Sequence, residues 1–311
     1  MSESVSVVCI THGRPDFVVK CLQSCVDQNY SDKEVVVVFN PADDQTEREI
    51  RSRFRDSKIL RTHKNLGFFP ALNLAIANCT GDYVMIVDDD AWFLAPDALS
   101  KLVQCFRDEP ELGAVTCNLE GPNEKPIEDG DRYIRTFTTG FTMLPRKVMT
   151  EWVGPVPDLF FRSAGETFWC TQLWEQRRPV KRIQDVRMFH ALSMKGRSKS
   201  DWYFYALRSQ LLCAVMREPA GWLLPVLCSK MAKSLITYLK HRHLLIWTKA
   251  WLSFLVHIQA ALRLRRPISS RTRRLLQRLD RSPVRSLAGL KEWTSLTTAG
   301  STALQAGRQI I

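Results

Sequence analysis

Short apolar runs alternate with amphipathic stretches over the first two-thirds of the chain. The apolar runs are rich in Val and Ile, a composition typical of strands that are buried on both faces. Between these runs, apolar residues recur at helical spacing, as in 16–28, 47–54 and the end of 65–79. This alternation predicts a mostly parallel sheet covered by helices on both faces. The first four predicted strands are 5–10, 33–40, 57–63 and 81–90.

The pattern continues to about residue 200 and then changes. Segments 112–119 and 180–190 predict further strands, 133–149 a strand and turn leading into a helix, and 160–178 a helix. From about Asp201, long helical patterns replace the strand signals. We therefore predict an α/β catalytic domain over residues 1–210 and a helical, arginine-rich region over residues 211–311.

The C-terminal region contains the most apolar stretch of the chain, 243–264. Within it, Lys249, Ser253 and His257 recur every four residues, which places one polar stripe on an otherwise apolar helix. Such a helix followed by an arginine-rich segment favours association with an anionic membrane surface. A membrane span and a packing helix with a solvated basic tail are the alternatives.

Positive charge is concentrated in the same region. The formal net charge is +12, and 262–285 contains nine arginines against one acid, Asp280, so it contributes eight of these charges. Arginines can bind nucleic-acid phosphates nonspecifically, which is one alternative reading. The interleaved apolar residues favour an amphipathic membrane helix instead, without a nucleic-acid partner; these are Leu262, Leu264, Ile268, Leu275, Leu276 and Leu279.

The compartment follows from two further features. Nine cysteines are scattered without a repeated spacing, which is typical of free thiols in a reducing cytoplasm. The first fifteen residues, MSESVSVVCITHGRP, have neither a basic region nor a long apolar region like those of a signal peptide. We expect a cytoplasmic protein that lies peripherally on the inner face of the membrane.

Polar residues follow three of the predicted parallel strands where each strand ends. These segments are 11–14 (THGR), 40–44 (NPADD) and 88–90 (DDD). In parallel sheets, ligands bind beyond the carboxyl ends of the strands, so these segments should converge on one crevice. Carboxylates are hard oxygen ligands that suit Mg²⁺ or Mn²⁺, commonly shared with substrate phosphates. A solvated acidic turn or a helix cap is the alternative for the three aspartates.

The order of five motifs resembles that of family 2 glycosyltransferases, which have the GT-A fold. The resemblance covers about residues 4–210 and rests on five stretches in order: THGR (11–14), FNPADDQT (39–46), NLGFFPALN (65–73), GDYVMIVDDD (81–90), and AGETFW (164–169) followed by VRMFH (186–190).

The resemblance implies a reaction and a role for each matching residue. A nucleotide-sugar donor, UDP-linked or dTDP-linked rather than GDP-linked, would lie over the strand ends. Asp88, Asp90 and His190 would hold Mg²⁺ or Mn²⁺, and Glu166 would be the general base of an inverting transfer. The acceptor would be a glycan or lipid-linked glycan of surface polysaccharide synthesis. Implied donor contacts are Thr11, Arg14, Asn40, Asn65, Gly67, Asn73, Asp88 and Asp89.

Three positions depart from the family pattern. Phe39 stands where an aspartate is usual, Leu72 where an arginine is usual, and Gln172 at a later arginine position. These departures keep open a degenerate, non-catalytic member of the family. A sugar nucleotidylyltransferase is the other alternative, although the glycine-rich phosphate loop of that class is absent from CITHGRPD.

Overall fold

The structure is a computed structural model that describes residues 3–42, 44–193, 198–286 and 288–290. Asp43, in the predicted polar segment 40–44, and residues 291–311, at the end of the predicted helical region, lie outside the described residues. The strands are β1 (Val5–Thr11), β2 (Lys33–Phe39), β3 (Lys58–Arg61), β4 (Tyr83–Asp88), β5 (Ala91–Phe93), β6 (Ala114–Glu120), β7 (Arg132–Tyr133), β8 (Phe141–Pro145) and β9 (Val180–His190).

Helices flank these strands and follow them. They are α1 (Pro15–Val26), α2 (Asp44–Arg53), α3 (Phe68–Ala77), α4 (Ala98–Asp108), α5 (Gly165–Glu175), α6 (Lys199–Arg217), α7 (Ala220–Lys240), α8 (Leu244–Arg263) and α9 (Ser270–Leu279). A single π-helical turn, Val148–Trp152, stands where the helix of 133–149 was predicted to begin. The predicted boundary between residues 210 and 211 falls inside α6.

One sheet contains the strands, in the order β3-β2-β1-β4-β8-β6-β9-β5, with β7 paired to β9. β1 to β4 pair in parallel, as their uninterrupted apolar pattern predicts. The other half is mixed, because β8 is antiparallel to both β4 and β6. β5 then pairs antiparallel with the end of β9, and this pairing brings His190 beside Ala91.

The arginine-rich segment packs differently from the prediction. Four of its six apolar residues are buried against the protein, three on the apolar face of α9 and one just before this helix. They are Ile268, Leu275, Leu276 and Leu279, whereas Leu262 and Leu264 remain exposed. The prediction that these residues form a membrane-facing helix was therefore wrong for α9. Exposed apolar surface lies instead on α7 and α8.

Candidate active site

The acidic run at the end of β4 meets the end of β9. The carboxylates of Asp88 and Asp90 and the imidazole of His190 offer ligand atoms that lie within 4.8 Å of one another. Asp90 and His190 are buried, and Asp90 Oδ1 lies 3.8 Å from His190 Nε2. The Ala191 backbone N–H donates to the Asp90 carbonyl at 3.0 Å, which fixes the two chain segments together. The structure thus brings together the three predicted metal ligands.

The two nitrogens of His190 have different environments. Nδ1 lies 3.2 Å from a carboxylate oxygen of Glu124, whereas Nε2 is buried and has no hydrogen-bond partner among the described residues. A carboxylate on Nδ1 orients an imidazole and leaves the Nε2 lone pair free to bind a metal. Two carboxylates and this nitrogen suit a divalent cation such as Mn²⁺ or Mg²⁺. The residues present therefore fit the implied metal.

The orienting contact of Glu124 with His190 can be tested by substitution. Glu124→Gln should weaken Mn²⁺ binding by about 10- to 100-fold, because a partner that orients a ligating histidine is worth that much. Titration calorimetry with Mn²⁺ measures the effect directly. Glu128→Gln is the matched control, since Glu128 is exposed on the same loop. Equal affinities for the two variants would contradict the orienting role.

Asp89, the middle carboxylate, faces Arg14 rather than open solvent. The guanidinium of Arg14 forms an ion pair with Asp89 and a second with Asp90 at 2.9 Å, and the Thr11 hydroxyl donates to Asp89 at 2.8 Å. Burial lowers the pKa of Arg14, but the three aspartates outweigh it and the pKa is raised. Arg14 therefore stays charged and offsets the repulsion within the cluster.

Thr11, Arg14 and Asp89 were predicted to contact the nucleotide. All three line the crevice, but the Thr11 hydroxyl and the Arg14 guanidinium already donate hydrogen bonds to the Asp89 carboxylate. These contacts hold Asp89 and Asp90 in place, and the predicted contact of the three residues with the nucleotide stays a prediction. The Ser193 backbone N–H adds a further bond to Asp90, at 2.9 Å.

A crevice of about 350 Å³ opens beside Asp88 at the carboxyl ends of β1, β2 and β4. Asn40 organises its far wall: its side chain accepts from the Leu66 N–H at 3.2 Å and donates to the Gly67 carbonyl at 3.1 Å. Asn65 accepts from the Gly67 N–H at 2.8 Å. Gly67 has a φ of +83°, and a Cβ there would lie 2.4 Å from the Phe161 carbonyl oxygen, so glycine is required.

Several residues that line the crevice were not among the predicted site residues, including His12, Phe161 and Tyr205. His12 lies between Asn40 and Asn65, and the rings of Phe161 and Tyr205 stack at 4.7 Å between centroids. His12 is adjacent to Thr11 in the THGR turn, so its position was a usable signal. Phe161 and Tyr205 come from distant segments, and only the tertiary structure brings them together.

Asn73 lies apart from this group. Its side chain donates to the Val156 carbonyl at 2.7 Å, and it is not among the residues that line the crevice. The structure therefore does not bring Asn73 together with the other predicted donor contacts, and its amide tethers the 156 loop to α3.

The structure also explains the three positions at which the sequence departs from the family pattern. Phe39 and Leu72 are fully buried in the core, and Asn40 lines the crevice where Phe39 does not. Gln172 donates to the Arg266 carbonyl at 2.8 Å, so it holds the segment between α8 and α9. None of the three departures removes a ligand of the predicted metal.

Glu166 lies at the start of α5, on the wall of a second cavity of about 470 Å³. The two cavities lie on either side of one segment, because 161–162 line the crevice and 163–164 line the cavity. Ser163 and Ala164 both have φ of +65°, a conformation that side-chain-bearing residues rarely adopt. Such strain concentrates at functional sites.

The carboxylate of Glu166 is held by weak donors. The Ala164 N–H lies 3.3 Å from one oxygen and the Thr139 hydroxyl 3.4 Å from the other. Burial raises the pKa of Glu166, and these hydrogen bonds only partly offset it. A raised pKa makes the ionised carboxylate a stronger proton acceptor than an exposed one.

Comparison with known proteins identifies the family of the N-terminal half of the chain. The sequence profile of Glycosyl transferase family 2 matches residues 6–156, which include the crevice-lining ends of β1, β2 and β4. Residues 6–156 carry a family 2 glycosyltransferase domain. This match confirms the predicted family and class of enzyme.

Curated relatives resemble the same part of the chain. Poly-beta-1,6-N-acetyl-D-glucosamine synthase of Staphylococcus epidermidis is 30% identical over 128 residues, which cover 40% of this chain and 31% of that protein. Chondroitin synthase of Escherichia coli is 29% identical over 113 residues, 36% of this chain and 16% of that protein. This chain thus spans less than a third of the length of these relatives.

Solved structures extend the similarity to the whole fold. The mannosyltransferase PcManGT of Pyrobaculum calidifontis, in complex with GDP-Man and Mn²⁺, has a TM-score of 0.57 at 19% identity, covering 99% of this chain and 87% of that one. S. aureus TarS 1-349, in complex with UDP-GlcNAc, has a TM-score of 0.59 at 15% identity, covering 96% and 92%. These similarities confirm the predicted GT-A fold with a C-terminal helical region.

Proposed function

We propose that this family 2 glycosyltransferase transfers a sugar from a nucleotide-sugar donor to a hydroxyl of a saccharide acceptor, with inversion and in dependence on Mg²⁺ or Mn²⁺. One observation carries the proposal: Asp88, Asp90 and His190 Nε2, which has no hydrogen-bond partner among the described residues, converge beside a crevice at the ends of parallel strands. The acceptor is lipid-linked, and the product belongs to cell-surface polysaccharide.

The donor occupies the crevice in this proposal. Asn40, Asn65 and Gly67, together with His12, form the wall that receives the nucleoside, and Asp88 lies on the ribose side. We propose UDP or dTDP as the nucleotide rather than GDP. A bound divalent cation would supply Lewis-acid neutralisation of the leaving diphosphate. The residues that would hold it are Asp88, Asp90 and His190.

Glu166 supplies the proton acceptor. Its carboxylate takes the proton of the acceptor hydroxyl while that oxygen bonds to the anomeric carbon, and the bond from this carbon to the diphosphate breaks. The electron pair of the broken bond leaves with the nucleoside diphosphate. A single displacement of this kind inverts the anomeric configuration.

Inversion is tested with the donor alone, using water as a slow acceptor. Incubation with an α-linked UDP-sugar and Mn²⁺ should release UDP and a sugar whose first-formed anomer is β, which NMR resolves before mutarotation. Boiled protein is the control for spontaneous hydrolysis. First release of the α anomer would contradict a single displacement and would indicate two successive ones.

A membrane surface is the second proposed partner. Large apolar side chains are exposed along α7 and α8, among them Leu245 and Val256, each 78% exposed. By length and composition, α8 is long and apolar enough to cross a membrane. Only 17% of its most apolar stretch of 18 residues is buried inside the protein. It also packs on the protein through Ala250 and Phe254. One buried and one exposed apolar side favour a helix that lies in the interface of the inner leaflet.

Vesicle binding tests this surface. The protein should sediment with vesicles that contain phosphatidylglycerol, and Leu245→Glu with Val256→Glu should lower its partition coefficient at least about tenfold, because both apolar contacts are lost and negative charge is added. Leu94→Glu, at an exposed leucine outside α7 and α8, is the control. Binding to duplex DNA but not to vesicles would contradict the proposal and favour a nucleic-acid partner.

A further inference from the structure

The cavity beside Glu166 is unusually basic for an interior space. Four cationic side chains from four segments line it, together with the carboxylates of Glu166 and Glu218. Most of this lining comes from α5, α6, α7 and α9, beyond the residues 6–156 that the family profile matches. The four cations are Arg135, Arg217, Lys230 and Arg273.

Two of these cations are already paired. Arg135 forms an ion pair with Asp280 at 2.6 Å, and Arg273 forms one with Glu218 at 2.7 Å. The pairing of Arg273 is incomplete, because its Nη1 is buried and has no hydrogen-bond partner in the described part of the chain. This guanidinium therefore retains a donor for a further acceptor.

The other two cations have no described carboxylate within ion-pair distance. Arg217 is only 2% exposed, donates to the carbonyls of Phe168 and Arg266 at 3.3 and 3.1 Å, and lies over the Phe168 ring. Lys230 donates to the Gln210 side chain at 3.2 Å. Burial lowers the pKa of Arg217 to about 10 and also lowers that of Lys230.

Burying an uncompensated cation costs free energy, which an anion in the same cavity would offset. Charge-assisted hydrogen bonds from arginine and lysine are directed well at phosphate oxygens. A volume of about 470 Å³ also exceeds what a single ion needs and lies in the range of organic ligand sites. The cavity therefore suits an anionic group that belongs to a larger molecule.

We infer that this cavity binds the phosphate or diphosphate of the acceptor, with Arg217, Lys230 and Arg273 as its ligands. The inference rests on the proposed function, since it identifies the acceptor class of the same reaction. Glu166 lies on the same wall, so a phosphate held there places the neighbouring sugar hydroxyl beside the base. Lys230 also lies on α7, the helix whose outer side exposes Leu224 and Ile236, so a lipid tail would have apolar surface nearby.

The test uses the full chain and inorganic pyrophosphate as the probe. Calorimetry is done in EDTA, which prevents metal-bridged binding in the donor crevice. The native protein should bind pyrophosphate, and Lys230→Gln should weaken it about tenfold or more. Lys233→Gln is the matched control, because Lys233 is exposed on the same helix. Arg273→Gln and its exposed neighbour, Arg274→Gln, form a second pair should the first fold poorly.

The outcomes separate this inference from the proposed function. No pyrophosphate binding, or equal weakening by Lys230→Gln and Lys233→Gln, overturns the inference. Mn²⁺-dependent UDP binding, measured in parallel, checks the donor site: if it persists while pyrophosphate fails, the inference alone falls. If UDP does not bind while pyrophosphate does, the proposed function is contradicted and the cavity remains an anion site.

Tighter binding of a short prenyl diphosphate than of pyrophosphate supports a lipid-linked source, and equal binding supports a soluble phosphorylated glycan.

Discussion

Replacing Asp90 by asparagine should lower the rate of sugar transfer by about a thousandfold or more. Asp90 is buried, lies 3.8 Å from His190 Nε2 and forms an ion pair with Arg14, so its charge stabilises the acidic cluster and, in the proposed site, would bind the metal. The Lewis-acid contribution of a metal amounts to several kcal/mol, and each ~1.4 kcal/mol is tenfold in rate. Release of nucleoside diphosphate measures the rate.

The control for this variant is Asp97→Asn, because the Asp97 side chain is half exposed and forms a surface ion pair with Lys101. It should keep nearly full activity. The melting temperature of Asp90→Asn must be followed as well, since Arg14 loses one of its partners. A folded Asp90→Asn protein that keeps more than a tenth of native activity would contradict a metal role for this carboxylate.

Replacing Glu166 by glutamine should also abolish most of the transfer, by about 10²- to 10⁴-fold, the contribution of a positioned general base. Donor binding should persist, because Glu166 lies outside the crevice. A loss of turnover with nucleotide binding retained therefore distinguishes it from Asp90→Asn. Glu151→Gln, at an exposed position, is the control.

The same variant should be more stable than the native protein at neutral pH. Burial raises the pKa of Glu166 above its unfolded value near 4.5, so the folded state disfavours the ionised form. Below pH 4.5 the carboxyl is neutral in both states and the native protein has no such cost. As pH rises through the folded pKa, the native protein loses this stability, whereas glutamine stays neutral.

Thermal melts across pH 4 to 8 measure the difference. The melting temperature of Glu166→Gln should exceed the native value at pH 7.5, and the gap should close as pH falls towards 4.5. A gap of opposite sign at neutral pH would mean that the ionised carboxylate stabilises the fold. That result would be evidence for a structural role of Glu166 and against a buried base.

The parallel half of the sheet could be predicted from the sequence because its strands are continuous apolar runs. Each run ends at polar residues, and parallel pairing places Thr11, Asn40 and Asp88 at one edge. The metal candidates Asp88 and Asp90 follow from the same reasoning. His190 required the family resemblance, since its place beside Asp90 depends on the antiparallel pairing of β5 with β9.

Other parts of the site depend on contacts that local pattern does not encode. Glu124 reaches His190 from a loop 66 residues earlier, and Tyr205 stacks on Phe161 across 44 residues. The apolar residues of α9 illustrate the same limit. Their spacing predicts an amphipathic helix, which the structure contains, but the spacing alone does not say whether protein or membrane covers the apolar face.

The most direct measurement of the central claim is the melting temperature of the native protein with UDP, dTDP, GDP and CDP, each with Mn²⁺, with Mg²⁺ or with EDTA. A ligand that binds only the folded state raises this temperature. We predict that UDP or dTDP raises it in the presence of metal and has little effect in EDTA, and that Asp90→Asn removes the shift. No shift with any nucleotide and metal would contradict a metal-dependent donor site in this crevice.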